Sequence, residues 1–184
     1  MPSADTPDAN SLRQMLSCCP PGQSAWREYE DAALAVLQYL FVPPLNAPYP
    51  QPRSYSGLDR CDAVFPNRVV DTSKPWGLLR HDLDAKLILV EFKNYDREEI
   101  GKVETDQTRN YLKAAWGRLA IICSNKLPND AAHRRRNIIY SEERKIILFI
   151  TTADLLEMID MKDRGDDPSE FVVDSVERFL IQHE

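Results

Sequence analysis

The sequence predicts an α/β domain of three layers, helices on both faces of a central mixed sheet. Three observations predict it. Apolar runs short enough for buried strands (LILVEF, LAIICS and KIILFIT) alternate with stretches of helical period; each run is punctuated by Gly, Pro or acidic turns; and 184 residues suffice for one core but not comfortably for two.

The elements follow in order. Residues 1–23 are rich in Pro, Ser and Asp and read as a flexible arm, with Cys18-Cys19 before Pro20-Pro21-Gly22 looking poorly ordered. Trp26, Tyr29, Ala33, Val36, Leu37 and Leu40 recur at three- and four-residue steps, giving a helix that Pro43-Pro44 must end. Five prolines between 43 and 52 then suit an extended connection or edge strand. Arg60 to Phe65 reads as a short strand, residues 66–84 as a long connection, and Ala85 to Lys93 as a central strand buried on both faces. A helix is expected from about Glu98 to Trp116, with Ile100, Val103, Gln107, Tyr111 and Ala114 on one face and Gly117 ending it. Leu119 to Ser124 is a strand, AAHRRRNIIY a helix with a basic face, and Lys145 to Thr151 a strand. Helices from about Ala153 to Lys162 and Pro168 to Gln182 close the chain. The expected division is an arm at 1–23, a core at 24–151 and acidic C-terminal helices at 152–184 packed on that core.

Composition excludes some classes. With 43% hydrophobic and 28% charged residues the chain is of ordinary globular type, and its net charge of −6 is not that of a polycation that coats nucleic acid. The charge is unevenly spread: residues 154–184 hold ten acids and three bases, which leaves 24–153 at +2. No apolar run reaches the roughly 20 residues of a membrane span, and MPSADTPDAN lacks the features of a signal peptide, so a cytoplasmic protein is expected. The four cysteines, Cys18, Cys19, Cys61 and Cys123, form no CxxC pair and have no His at zinc-ligand spacing.

Glu91 demands an explanation, because a carboxylate inside LILVEFKN costs several kcal/mol if buried without a partner. Strand periodicity sets Lys93 beside it on the same face, as either a strand-end ion pair or part of a site. Upstream, GLDRCDAVFPN supplies Asp59 and Asp62, which are turn formers or metal ligands; Asp62, followed by Ala63-Val64-Phe65, would enter the sheet. If that strand pairs beside Ala85 to Lys93, Asp62 and Glu91 converge, and two hard carboxylates with open positions suit Mg²⁺.

Asp62, then Glu91-Phe92-Lys93, then Gln107 and Tyr111 on the following helix, resembles the PD-(D/E)XK nuclease superfamily, in the branch of Mrr-like restriction endonucleases and Holliday-junction resolvases. The similarity runs over about residues 24–151. Cys61 stands where that family often has proline before the first acid, which bears on the choice between Asp62 and Asp59. The resemblance implies a restriction-endonuclease-like fold and a nuclease hydrolysing phosphodiester bonds, most plausibly in DNA and in restriction or anti-phage defence. It implies Mg²⁺, for which Mn²⁺ can substitute, on Asp62 and Glu91; Lys93 orienting the attacking water and offsetting phosphoryl charge; Glu30 as an outer or second-metal contact; and Gln107 on the water, Lys93 or a phosphate. Glu30 is otherwise a solvated helix acid, and Gln107 with Tyr111 a packing pair.

Candidate nucleic-acid contacts are Tyr111, Lys126, Arg134, Arg135 and Arg136, although three consecutive arginines cannot all face one way on a helix. Trp76 and Trp116 are candidates for base stacking or for core. Cutting both strands of a duplex needs two sites, so a homodimer or a partner protein supplying specificity is expected. A binding module of the same fold without catalysis, and an RNA-cleaving toxin, are the competing readings.

Overall fold

The computed structural model describes residues 8–53 and 61–183. Asp59 and Arg60 lie outside the described residues.

Seven helices and five strands are formed among them: α1 (Ala9–Cys18), α2 (Trp26–Phe41), β1 (Tyr49–Pro50), β2 (Ala63–Pro66), α3 (Pro75–Leu83), β3 (Leu87–Lys93), α4 (Lys102–Tyr111), β4 (Leu119–Ser124), α5 (Asp130–Glu143), β5 (Ile146–Thr151), α6 (Thr152–Asp163) and α7 (Ser169–Gln182). The strands lie in chain order in one sheet. β1, β2 and β3 pair antiparallel, whereas β3, β4 and β5 pair parallel. The sheet is therefore mixed, and β3 is the strand at which its direction changes.

Alternate residues of each strand feed two apolar clusters. Phe65, Ile88, Val90, Ile121, Cys123, Leu148 and Ile150 join side chains of α1, α2, α3, α6 and α7 on one face. Val64, Leu89, Ala120, Ile122 and Ile147 join Leu112, Ala132 and Ile139 on the other, beneath α4 and α5. The α/β architecture in three layers agrees with the expectation. Because Leu155, Met158, Ile159, Val172, Val176 and Phe179 belong to the first cluster, the acidic C-terminal helices complete the core.

Three expectations are corrected. The arm at 1–23 contains helix α1, capped where Asp8 Oδ1 accepts from the Ser11 backbone at 2.9 Å and anchored by fully buried Leu12 and by Leu16. Two apolar positions one turn apart are a faint signal in sequence, but they fit against α2 and α6, and Arg13 pairs with Asp160 and Asp163. Cys18 is the last residue of this helix. Second, the connection at 66–84 contains α3: Pro75 stands in its first turn, where proline's fixed φ favours a helix. Gly77 is required there, since a Cβ would lie 1.9 Å from the Asp71 carbonyl oxygen. Trp76 is 1% exposed and meets Phe41 edge-on, so it is core and unavailable to bases. Third, the helix expected over 98–116 is shorter. Its buried face is Thr105 and Thr108, while Val103 is exposed and Ile100 precedes the helix. A separate single turn, Ala114–Trp116, ends at Gly117 with φ 112°. Trp116 packs against the second cluster.

All four cysteines are free. No helix among the described residues is long and apolar enough to cross a membrane.

Candidate active site

The antiparallel register of β2 and β3 pairs Ala63 with Val90, so the residue before β2, Asp62, falls opposite Glu91. Asp62 occupies a bend one position outside the strand rather than entering it. The two acids are laced together through backbone. The Asp62 N–H donates to Glu91 Oε1 at 3.2 Å, and the Phe92 N–H donates to Asp62 Oδ2 at 2.8 Å.

Glu91 is 2% exposed. Burial, then the nearby Asp62 carboxylate, push its pKa up to about 7, and Lys93 pulls the other way. The Lys93 ammonium lies 3.2 Å from Glu91 Oε2 and 3.3 Å from Gln107 Oε1. Its side chain is 15% exposed, too buried for a surface ion pair. An ammonium has three donors, and two are spent, so one remains for an oxygen of a substrate or of water. Gln107 is held in turn: its Nε2 donates to Tyr111 Oη at 3.1 Å, one turn further along α4. Asp62, Glu91, Lys93, Gln107 and Tyr111 thus form a connected chain of contacts on the α4 side of the sheet, at the carboxyl end of β3.

Glu30 is buried on α2, and the structure connects it to the acids through a residue the sequence did not single out. Gln51 donates its side-chain amide to Glu30 Oε1 at 2.9 Å and its backbone N–H to the Asp62 carbonyl at 2.7 Å. It does so from a left-handed conformation, φ 45°, a strained state for a non-glycine residue. Only the antiparallel pairing of β1 with β2 brings Gln51 there, so no local motif could announce it.

Two asparagines shape the rim. The buried Asn94 amide donates to the carbonyls of Pro20, Gly22 and Ala25 at 2.9, 3.2 and 3.3 Å, tying the segment before α2 to the end of β3. Asn125 accepts from the Tyr95 N–H and donates to the Tyr95 carbonyl, both at 2.8 Å. Tyr95 Oη donates to Glu104, whose other oxygen accepts from the Gly101 N–H at the start of α4, and this fixes the helix that carries Gln107. Beside Lys93 opens a cavity of about 550 Å³ bordered by Trp26, Asn94, Tyr95, Asp96 and Glu98.

Asp62 and Glu91 are a pair of hard oxygen donors whose mutual repulsion Lys93 only partly offsets, and a divalent cation would relieve that repulsion. Among the described residues no group of three or more His, Cys, Asp or Glu side chains is placed to hold a metal, so water would have to complete the coordination. Cys61, next to Asp62, is buried, and its thiol is pushed up to about 11 by that burial and by Glu91, which keeps it protonated.

The basic candidates diverge. Arg135 pairs with Asp106 at 2.5 Å, and Arg136 lies over the rings of Phe149 and Phe179, so neither is a free surface cation; Arg134 is exposed and Lys126 half-buried.

Comparison of the chain with protein-family models, with curated proteins and with solved structures finds no match.

Proposed function

We propose that this chain is a metal-dependent nuclease of restriction-endonuclease-like fold that hydrolyses phosphodiester bonds, in DNA by the resemblance of its Asp62, Glu91-Phe92-Lys93 and Gln107-Tyr111 pattern. The observation that carries the proposal is the convergence of buried Glu91 and Lys93 with Asp62 at one end of β3. A strand-end ion pair has no need of a second carboxylate opposite it, still less one that raises the proton affinity of the first.

Asp62 and Glu91 would hold Mg²⁺ or Mn²⁺, which when bound supplies Lewis-acid polarisation of a phosphate and a lowered pKa for water. The residues of the chain do the rest. Lys93 directs its open donor at an oxygen in the site and offsets the negative charge that grows on phosphoryl oxygens. Gln107, fixed by Tyr111, sets the position of the ammonium. Glu30 acts through Gln51 on the backbone of Asp62. Residues 24–153, at +2, form the portion that meets a polyanion, and the acidic balance lies in residues 154–184. Double-strand cleavage would use a homodimer or a partner chain, and restriction or anti-phage defence is the setting the resemblance suggests.

The test is incubation of purified protein with plasmid, single-stranded DNA and RNA, in Mg²⁺, Mn²⁺ or chelator, beside Glu91→Ala and Lys93→Ala. Metal-dependent cleavage lost in both variants supports the proposal, and the substrate cut separates DNA from RNA. Cleavage undiminished in the variants overturns the site, and binding without cleavage favours a non-catalytic module.

A further inference from the structure

Arg136 stands apart from the other cations among the described residues. Carried on α5, its guanidinium carbon lies 5.2 Å from the centroid of Phe149 on β5 and 4.9 Å from that of Phe179 on α7. Its Nε is buried and has no hydrogen-bond partner. Unlike Arg109 with Glu143 and Arg135 with Asp106, it has no carboxylate partner among the described residues. Cation–π contact compensates part of its desolvation, but five N–H donors are left unspent.

Arg136 lines a cavity of about 400 Å³, large enough for a small ligand. His133, Arg178 and Ser175 also line it, between apolar walls supplied by Leu127 and the two phenylalanines. Arg178 is exposed and, among the described residues, unpaired. The one acid at the wall, Asp154, is engaged: its Oδ2 accepts from the Thr151 N–H at 2.6 Å and the Thr151 hydroxyl at 2.8 Å. Ser175 gives its proton to the Phe171 carbonyl at 2.7 Å and keeps its lone pairs. His133, stacked edge-on against Phe149, has its pKa lowered by burial and by Arg136, so at neutral pH it is a neutral hydrogen-bonding group.

We propose that this cavity is a second binding site, for a phosphate group carried on a nucleotide unit, with Arg136 as its central ligand. A planar guanidinium held over two rings still presents the N–H groups of its terminal edge, and that edge matches two oxygens of a phosphate. The apolar walls suit the base or sugar that accompanies it. The sheet register adds a positional argument: Lys93 pairs with Ser124, and Ser124 with Thr151, so the cavity opens at the same carboxyl end of the sheet as Lys93, two strands away. At about 4.8 Å per strand that is roughly 10 Å. The phosphate therefore has two possible sources, a free nucleotide or the backbone of a nucleic acid that also reaches Lys93.

The inference does not depend on cleavage. It is tested by calorimetric titration of the Glu91→Ala protein, in chelator, with adenosine 5′-monophosphate, adenosine, inorganic phosphate and a single-stranded oligonucleotide. The expected result is binding of the monophosphate but not of adenosine, weakened about tenfold or more in Arg136→Met, which keeps the apolar stem over the rings. Arg178→Ala, at an exposed position, should weaken it less and serves if Arg136→Met fails to fold. Oligonucleotide displacing the monophosphate assigns the phosphate to nucleic acid, and no displacement assigns it to a free nucleotide. No binding of any phosphate compound, or binding unchanged in both arginine variants, overturns the proposal and leaves the nuclease reading untouched.

Discussion

Asp62 and Glu91 face each other at the end of the antiparallel β2–β3 pairing, each carboxylate accepting a backbone N–H from the other's side at 2.8–3.2 Å. The arrangement holds a half-buried acid against a nearly dry one, and its electrostatic cost is visible in Glu91.

That cost makes stability depend on pH. The Glu91 carboxyl is raised from 4.5 to about 7, so the folded protein holds this proton more tightly than the unfolded chain does. Its contribution is complete below the unfolded value and is lost as pH climbs through about 7. In chelator, urea unfolding of the wild type should lose about 2–3 kcal/mol relative to Glu91→Gln between pH 5 and pH 8. Carboxylates with lowered pKa, such as Glu143, act in the opposite sense at lower pH and are common to both proteins. Parallel pH profiles for the two would refute the assignment.

Divalent metal should reverse this loss. Mg²⁺ or Mn²⁺ should raise the melting midpoint more at pH 8 than at pH 5.5, where protons compete for Glu91, and should raise it less in Asp62→Ala. An equal gain at both pH values would point to a site elsewhere.

Lys93→Met keeps the aliphatic stem and removes the donor. Turnover of the cleaved substrate should fall by about 10²–10³-fold, with the circular dichroism spectrum unchanged. Rates within a few-fold of wild type would remove Lys93 from the chemistry.

Tyr111→Phe deletes the hydroxyl that Gln107 donates to, leaving the Lys93–Gln107 contact in place. Single-turnover rates should drop by about tenfold or less, and Gln107→Ala should cost more. If the two residues act as a unit, the double variant will be no slower than Gln107→Ala alone.

Leu12→Ala should destabilise the protein by about 2–5 kcal/mol in equilibrium unfolding, because Leu12 is fully buried against α2 and α6. A loss under 1 kcal/mol would show that α1 is not part of the core in solution.

The sequence was informative wherever burial leaves a continuous apolar run. β3, β4 and β5 are legible as LILVEF, LAIICS and KIILFIT, and the acid inside the first of them identified Glu91 without any structure. Helices α1 and α3 were not legible, because each is only two or three turns long and owes its stability to partners distant in the chain. On α4, Thr105 and Thr108 are buried by donating their hydroxyls to the carbonyls four residues back, so the buried face of that helix is polar in composition and invisible to an apolar count. Gln51 and Asn94 were missed for another reason. Both act through pairings between segments far apart in sequence, and neither residue type signals that by itself.

The bonds from Asn94 to Pro20, Gly22 and Ala25 have a practical bearing on how this protein should be cut down or extended. By composition, the first 23 residues invite removal as a leader that does nothing. Residues 8–22 are better regarded as a strap: α1 lies against α2 and α6, and the carbonyls of Pro20 and Gly22 then fasten to Asn94, the residue that follows Lys93. A version starting at Ser24 would expose the apolar surface under Leu12 and Leu16 and strip two of the three carbonyls from Asn94, loosening the rim of the site from 72 to 74 residues away along the chain. The minimal working unit of this fold therefore begins before its first conspicuous helix.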